Sequence, residues 1–308
     1  MTYFQFLGVF LIIPLLGLTW LLRTWLPTRP ARPAGLMIGL LALVAVVYTT
    51  PWDNYLVAAR VWWYDPALVT GLTLGWVPLE EYAFFVLQTG LTGLWVCFLG
   101  RRWGWFAAEW PVGKLSLGLN GVKLRLGQSN RPPSVPPTGE EALVLPPQGG
   151  VRGRLVGGNR RLLTALASLV WLAAVATLAA GWGPGRYLSL ELAWALPPLM
   201  LQLAFGADIL WRRRRLVGAA LGSATLYLSL ADWLAIRIGI WTIDPAQSLN
   251  IFLGGYLPLE EAVFFFLTNS LLVFGLVLGL DPAGRMRLAE YWPRLSGRLG
   301  PLAMNRDW

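Results

Sequence analysis

The sequence predicts an all-α polytopic membrane protein with seven transmembrane helices, arranged as two parallel three-span repeats joined by one further span (3+1+3). Three observations lead there. Of 308 residues, 56% are hydrophobic and 13% charged, with 18 Trp and a mean hydropathy of +0.55, a profile of bilayer-spanning chains rather than soluble cores. The octet Pro78-Leu79-Glu80-Glu81-Tyr82-Ala83-Phe84-Phe85 returns as Pro258-Leu259-Glu260-Glu261-Ala262-Val263-Phe264-Phe265. Basic residues gather in alternate loops, as the positive-inside rule requires of a multi-pass chain.

Apolar stretches long enough to cross a hydrocarbon core of ~30 Å lie at about 3–25, 35–62, 72–99, 162–182, 188–211, 216–241 and 251–280. The first runs from Tyr3 without a basic leader region, so it reads as a retained span and not a cleaved signal. Arg23, Arg29 and Arg32 follow span one. Arg101, Arg102, Lys114, Lys123, Arg125, Arg131, Arg152 and Arg154 follow span three. Arg212 to Arg215 follow span five, and Arg285, Arg287, Arg294 and Arg298 follow span seven. The other loops carry only Arg60 and Asp65, Arg186, and Asp244. A cell-membrane location follows, with the N-terminus outside and the C-terminus cytoplasmic. The net charge of +9 fits topology and anionic lipid headgroups better than nucleic acid.

The repeat extends upstream of the octet. Tyr48, Asp53, Trp62, Asp65 and Pro66 align with Tyr227, Asp232, Trp241, Asp244 and Pro245 at a constant offset of 179, which becomes 180 at Pro78/Pro258 after one inserted residue. Three spans invert a copy, and a single span between the copies restores the parallel orientation. The expected organisation is a first repeat over 1–105, a Pro/Gly-rich cytoplasmic linker over 106–160, a linking span over 161–183, a second repeat over 184–282 and a basic tail over 283–308. Within the linker, Val112–Gly127 alternates apolar and basic residues and suits a membrane surface.

The carboxylates are the chemistry. An acidic residue at a helix centre costs ~2.5–3.5 kcal/mol, so four unpaired glutamates would cost on the order of 10 kcal/mol. Counting at ~1.5 Å per helical residue puts Asp53, Glu80 and Glu81 at one depth near the midplane, with Asp232, Glu260 and Glu261 likewise. Neighbouring glutamates point about 100° apart, so one of each pair is expected to face a cavity and the other a neighbouring helix. Pro78 and Pro258 are expected to kink their spans. The structural alternative pairs the acids with Arg60 and Arg237, but two arginines do not neutralise six carboxylates, so several are expected to stay protonated and equipped as general acids. Asp65 and Asp244, each before a Pro, read as turn or cap residues. Trp62, Trp63 and Trp241 read as interface-belt residues. For the deeper rings Trp76, Phe84, Phe85, Tyr256, Phe264 and Phe265, two readings stay open: lipid-facing bulk, or the lining of a cavity that holds a carbocation.

Absences narrow the class further. There is no His, which removes haem, His-zinc and Ser-His or Cys-His chemistry, and the single Cys97 excludes a disulfide framework. The two lysines, Lys114 and Lys123, lie outside every span, which excludes a retinal Schiff base. Neither a strand-linked GxGxxG nor an Asp-rich diphosphate motif occurs, so no cofactor or metal is expected. Acid–base work on an apolar substrate, or proton-coupled transport of a small solute on the same 3+1+3 plan, stays open at this point. The few Asn, Gln and Ser near the acids favour the enzyme.

The doubled Pro-Leu-Glu-Glu followed by Phe-Phe, each copy preceded by an Asp-Pro and a Trp-rich helix, resembles the membrane-integral lycopene cyclases, which occur as two small subunits or one fused chain. The resemblance covers about 35–100 and 216–280 and suits the fused form. It implies ring closure on lycopene or a related acyclic carotenoid without net redox, with Glu80, Glu81, Glu260 and Glu261 as the acid–base residues. The assigned sequence of events is protonation by Glu80 or Glu260, ring closure of the cation, and deprotonation by Asp53 or Asp232. A carotenoid hydratase is a third reading. Expected partners are the lipid-soluble substrate, membrane lipids and other carotenoid enzymes. The copies differ at Trp63-Tyr64 against Thr242-Ile243 and at Asn54 against Trp233, so their roles need not be equal.

Overall fold

The computed structural model describes residues 1–24, 32–105 and 151–298. Seven helices among them are long and apolar enough to cross a membrane: α1 Tyr3–Thr24, α2 Arg32–Ala58, α3 Leu79–Arg102, α4 Val151–Ala179, α5 Arg186–Arg212, α6 Arg214–Arg237 and α7 Leu259–Leu280. A final helix, α8, covers Pro282–Arg298. The protein is thus a helical membrane protein, with the expected seven candidate spans among the described residues. Most of the expected linker, including Val112–Gly127, lies outside the described residues, and α4 already begins inside it at Val151.

Packing sorts the spans. The most apolar windows of α3 and α7 are each 61% buried, against 6% for α4 and 11% for α2, so α3 and α7 form the centre and α4 lies on the outside. The central pair is joined by polar contacts of the kind that hold membrane helices together: Gln88 donates to Thr268 at 3.1 Å and Thr92 to Asn269 at 2.9 Å. Helix α1 starts on a capping box in which Thr2 and Gln5 satisfy each other's backbone N–H groups, and contains a π-helical turn at Gly8–Ile12.

The span ends differ from expectation. The apolar stretches 59–78 and 238–258 continue neither neighbouring helix. They form β1 Trp62–Tyr64, β2 Thr73–Leu74 and β3 Val77–Pro78 in one half, and β4 Trp241–Ile243, β5 Phe252–Leu253 and β6 Leu257–Pro258 in the other. Strands β1 and β4 pair antiparallel across the halves, with Trp63 opposite Thr242 and Trp62 opposite Ile243. Aromatic and β-branched residues favour the extended form. Asp65 and Asp244 then turn the chain by accepting the N–H of Ala67 and Ala246, the turn role read from the sequence.

Hairpins β2–β3 and β5–β6 enclose turns that carry Gly75 (φ 70) in the first and Gly254 (φ 56) and Gly255 (φ 80) in the second, left-handed conformations that favour glycine. The second turn is one residue longer, and this is where the sequence offset changes from 179 to 180. Asn54 accepts the Trp76 N–H at 2.7 Å, and at the equivalent position the Trp233 indole donates to the Gly254 carbonyl at 3.0 Å. The Asn54/Trp233 difference is therefore a change in how each turn is fastened.

Two corrections follow. Pro78 (φ −67, ψ 152) and Pro258 (φ −58, ψ 146) kink nothing; they are the N-cap residues of α3 and α7. Glu80, Glu81, Glu260 and Glu261 accordingly occupy the first helical turn and not positions eight or nine residues into a span, where the positive end of the helix dipole favours acidic groups.

Candidate active site

One chamber collects residues from α1, α2, α3, α5, α6, α7 and the paired strands β1 and β4. Four carboxyl side chains line it: Asp53 and Glu81 from the first half, Asp232 and Glu261 from the second. Among the described residues, no basic side chain lines it. The ion pairs among the described residues go to Asp208 and Asp281, as in the Arg287–Asp208 pair at 2.9 Å. Arg237 lies over the rings of Trp233 and Tyr256, and the ion pairs among the described residues include neither Arg60 nor Arg237.

Tyrosines hold the two glutamates. The Tyr3 and Tyr64 hydroxyls donate to Glu81 Oε2 at 2.5 and 3.0 Å, and the Tyr187 hydroxyl donates to Glu261 Oε1 at 2.6 Å. Among the described residues, the second oxygen of each glutamate receives no hydrogen bond. Burial pushes the Tyr64 phenol well above its ordinary value, so it remains a donor. Asp53 is 1% exposed, and neither of its oxygens has a hydrogen-bond partner among the described residues. Such a group is costly unless it is used.

The remaining wall is aromatic. Trp52 stacks on Trp194 (4.5 Å between centroids) and on Phe264 (6.0 Å) and meets Trp62 edge-on at 5.7 Å. Phe264 meets Phe265 at 5.3 Å, Phe84 meets Phe265 at 6.3 Å, and Tyr3 meets Trp241 at 5.1 Å. The cavity measures about 40 Å³, a few times the ~10–15 Å³ that one water needs.

Of the residues singled out from sequence, Asp53, Glu81, Asp232, Glu261, Phe84, Phe85, Phe264 and Phe265 meet in this chamber. Glu80 and Glu260 do not. Glu80 Oε1 accepts the Thr70 N–H at 2.6 Å, and Glu260 Oε1 accepts the Leu249 N–H at 2.6 Å and the Ser248 hydroxyl at 3.1 Å. Each thus fastens the loop ahead of its own helix. Trp76 and Tyr256 sit at or beside the hairpin turns, 67% and 45% exposed, outside the chamber. Trp62 and Trp241, expected in the interface belt, line the chamber instead, because β1 and β4 fold inward as a pair.

Sequence reasoning missed Tyr3, Tyr64 and Tyr187 as site residues, and also Glu191, which is fully buried one helical turn after Tyr187. Carrying the repeat into spans one and five would have found some of them. Tyr3 and Tyr187 occupy corresponding places, as do Phe10 and Trp194, whose carbonyls accept the hydroxyls of Tyr227 (2.9 Å) and Tyr48 (2.8 Å).

Fold and site together define a helical membrane protein with a carboxyl-lined aromatic chamber. Comparison with known proteins sharpens that class. The chain is 37% identical over 278 residues to a lycopene beta-cyclase of Halobacterium salinarum, covering 90% of this chain and 95% of the relative. It is also 33% identical over 244 residues to a bifunctional lycopene cyclase/phytoene synthase of Podospora anserina, covering 79% of this chain and 35% of the relative. A protein of the same description from Gibberella fujikuroi is 33% identical over 262 residues, with 83% and 37% covered. The chain thus spans nearly the whole archaeal relative and about a third of the fungal ones. No protein-family model matches it, and no solved structure matches it. The chain belongs to the lycopene cyclase family of carotenoid biosynthesis.

Proposed function

We propose that this carotenoid cyclase closes a six-membered ring on an acyclic end of lycopene by proton transfer alone, and that the chamber between the two halves is where it does so. One observation carries the assignment: four carboxyls, two of them held by tyrosine hydroxyls, face a single aromatic cavity that no basic residue lines among the described residues.

In this reading Glu81 or Glu261 is the acid. The tyrosine-bonded oxygen stays an acceptor, which leaves the proton on the free oxygen, pointing into the cavity. Protonation of the terminal double bond makes a tertiary cation. The neighbouring double bond attacks it, a carbon–carbon bond forms, and the positive charge moves into the new ring. Asp53 or Asp232 then removes one ring proton and restores a double bond. One proton enters and one leaves, so the product is an isomer of the substrate and no oxidant is consumed. After donation, the tyrosine O–H groups stabilise the carboxylate through charge-assisted hydrogen bonds. The faces of Trp52, Phe264 and Phe84 support the cation, and their bulk keeps out water that would trap it as an alcohol. Glu80 and Glu260 serve as loop anchors in this scheme.

The doubled contacts support a 3+1+3 repeat with one acid–tyrosine–aspartate wall from each half, divided along the chain as the sequence organisation above has it, except that the linking span begins at Val151. The arginine distribution supports an outside N-terminus and a cytoplasmic C-terminus. A reporter active only in the cytoplasm should then work when fused after Trp308 and stay silent near Asp65 or Asp244; the reverse pattern would refute that orientation. The function itself is tested by expression in cells that accumulate lycopene. Conversion to ringed carotenoid is expected by absorbance and chromatography. Unchanged lycopene in the presence of inserted protein would overturn the proposal, and a hydroxylated product would favour hydration over ring closure.

A further inference from the structure

Among the described residues, two apolar cavities on the sides of the bundle stand in different relations to the chamber. One lies between α2 and α5 and measures about 170 Å³; it is bounded by Ala45 and Tyr48 of α2 and Trp194 of α5, and it includes Phe85 and Phe264. Those two phenylalanines also line the chamber, so they form the partition between the two spaces. The other lies between α1 and α6, measures about 320 Å³ and is bounded by residues such as Leu18, Trp95, Ala224 and Tyr227. It is larger, yet it shares no lining residue with the chamber.

From this asymmetry we infer that the α2–α5 groove is the binding site for the long unsaturated arm of the substrate, and that the acyclic end reaches the carboxyls past Phe85 and Phe264. The inference rests on the cyclase reading and names the place where the rest of that same substrate lies. Three features select an extended apolar occupant.

The groove opens on the outer face of the bundle, where Val44 is 50% and Tyr48 41% exposed, so a molecule dissolved in lipid meets it without crossing water. Its entrance is marked by ring faces in series. Tyr48 stacks on Trp194 at 5.6 Å, Trp194 on Trp52 at 4.5 Å, and Trp52 on Phe264 at 6.0 Å, a continuous π surface from the lipid face to the chamber wall. Offset-stacked rings suit a planar conjugated chain. The distance is also right: Thr49 in the groove and Asp53 in the chamber are one helical turn apart on α2, about 6 Å at 1.5 Å per residue.

The chamber, at about 40 Å³, does not hold a whole end group with these rings at rest. The partition therefore turns aside as the end enters, and the arm left in the groove keeps the lipid side filled.

The test fills each cavity separately in the full-length protein in native membranes. Ala45→Trp should lower conversion of lycopene at least tenfold, while Ala224→Trp, filling the unconnected cavity, should leave it within twofold of the parent. A truncated acyclic apocarotenoid, with the same reactive end but an arm too short to fill the groove, should be converted by the Ala45→Trp protein within threefold of the parent. If Ala45→Trp does not accumulate, Ala45→Leu is read by the same comparison at a threefold threshold. Parent-like activity on lycopene with the groove filled would overturn the inference, as would equal losses from the two plugs or equal losses on the long and short substrates. An inactive parent protein would instead count against the cyclase reading.

Discussion

Replacing Glu81 with Gln is expected to lower lycopene conversion by about 10²-fold or more, and Glu261→Gln to do the same for any end processed at the second wall. The amide matches the glutamate in size and still accepts hydrogen bonds from Tyr3 and Tyr64, or from Tyr187, but it has no carboxylic proton to give. Accumulation and detergent stability should stay near those of the parent, because the tyrosine contacts survive. The informative control lies one residue away. Glu80→Gln and Glu260→Gln keep an oxygen for the Thr70 and Leu249 N–H groups, so they should cost stability before chemistry and retain most turnover per folded molecule. If Glu80→Gln removes turnover while Glu81→Gln preserves it, the roles assigned to the neighbouring glutamates are reversed.

Asp53→Asn should be the other severe substitution. Its two oxygens receive no hydrogen bond among the described residues, so the wild-type side chain is held by packing alone and is free to accept a proton from the ring cation. Removing a positioned general base typically costs ~10²–10⁴-fold. A second readout separates this from loss of the acid. Without its base, the cation still forms and leaves by another route, so the products should shift toward a misplaced ring double bond or a ring alcohol. Loss of all conversion with no new product would argue that Asp53 acts before the cation exists. Because an unpaired amide buried there costs about 1–3 kcal/mol, turnover should be normalised to folded protein.

How far these residues were legible in the sequence depended on the kind of signal each carried. The seven spans were readable because length, hydropathy and the arginine clusters pointed the same way. The ends that meet the paired strands and hairpins were not. Trp62-Trp63-Tyr64 and Val77-Pro78 are as apolar as the helices they adjoin, and hydropathy does not separate an extended strand tucked into the bundle from one more helical turn. The error then carried through to depth, since helix α3 begins at Leu79 and not near residue 72. The doubled Glu-Glu motif announced its importance, but the choice within each pair turns on a rotation of about 100°. That choice was made by the loops: Thr70 and Leu249 present backbone N–H groups to the first glutamate, which leaves the second to the chamber. Tyr3 and Tyr187 escaped notice because a lone tyrosine near a helix start is ordinary in a membrane protein, and only the contact with a glutamate about 75 residues away in the chain reveals it.

Isotope uptake from solvent bears most directly on the central claim that ring closure begins with a proton from a chamber carboxyl. Membranes carrying the protein are equilibrated in D₂O, given unlabelled lycopene, and the ringed product is analysed by mass spectrometry with the position of label assigned by NMR. Carboxyl protons exchange with solvent, so each ring formed should carry one deuterium at the carbon that was the terminal alkene's protonation site. Glu81→Gln and Glu261→Gln proteins should show label and ring falling together. Ringed product with no deuterium at that carbon would contradict the account, because the hydrogen would then have come from the substrate or another donor and not from an exchangeable acid.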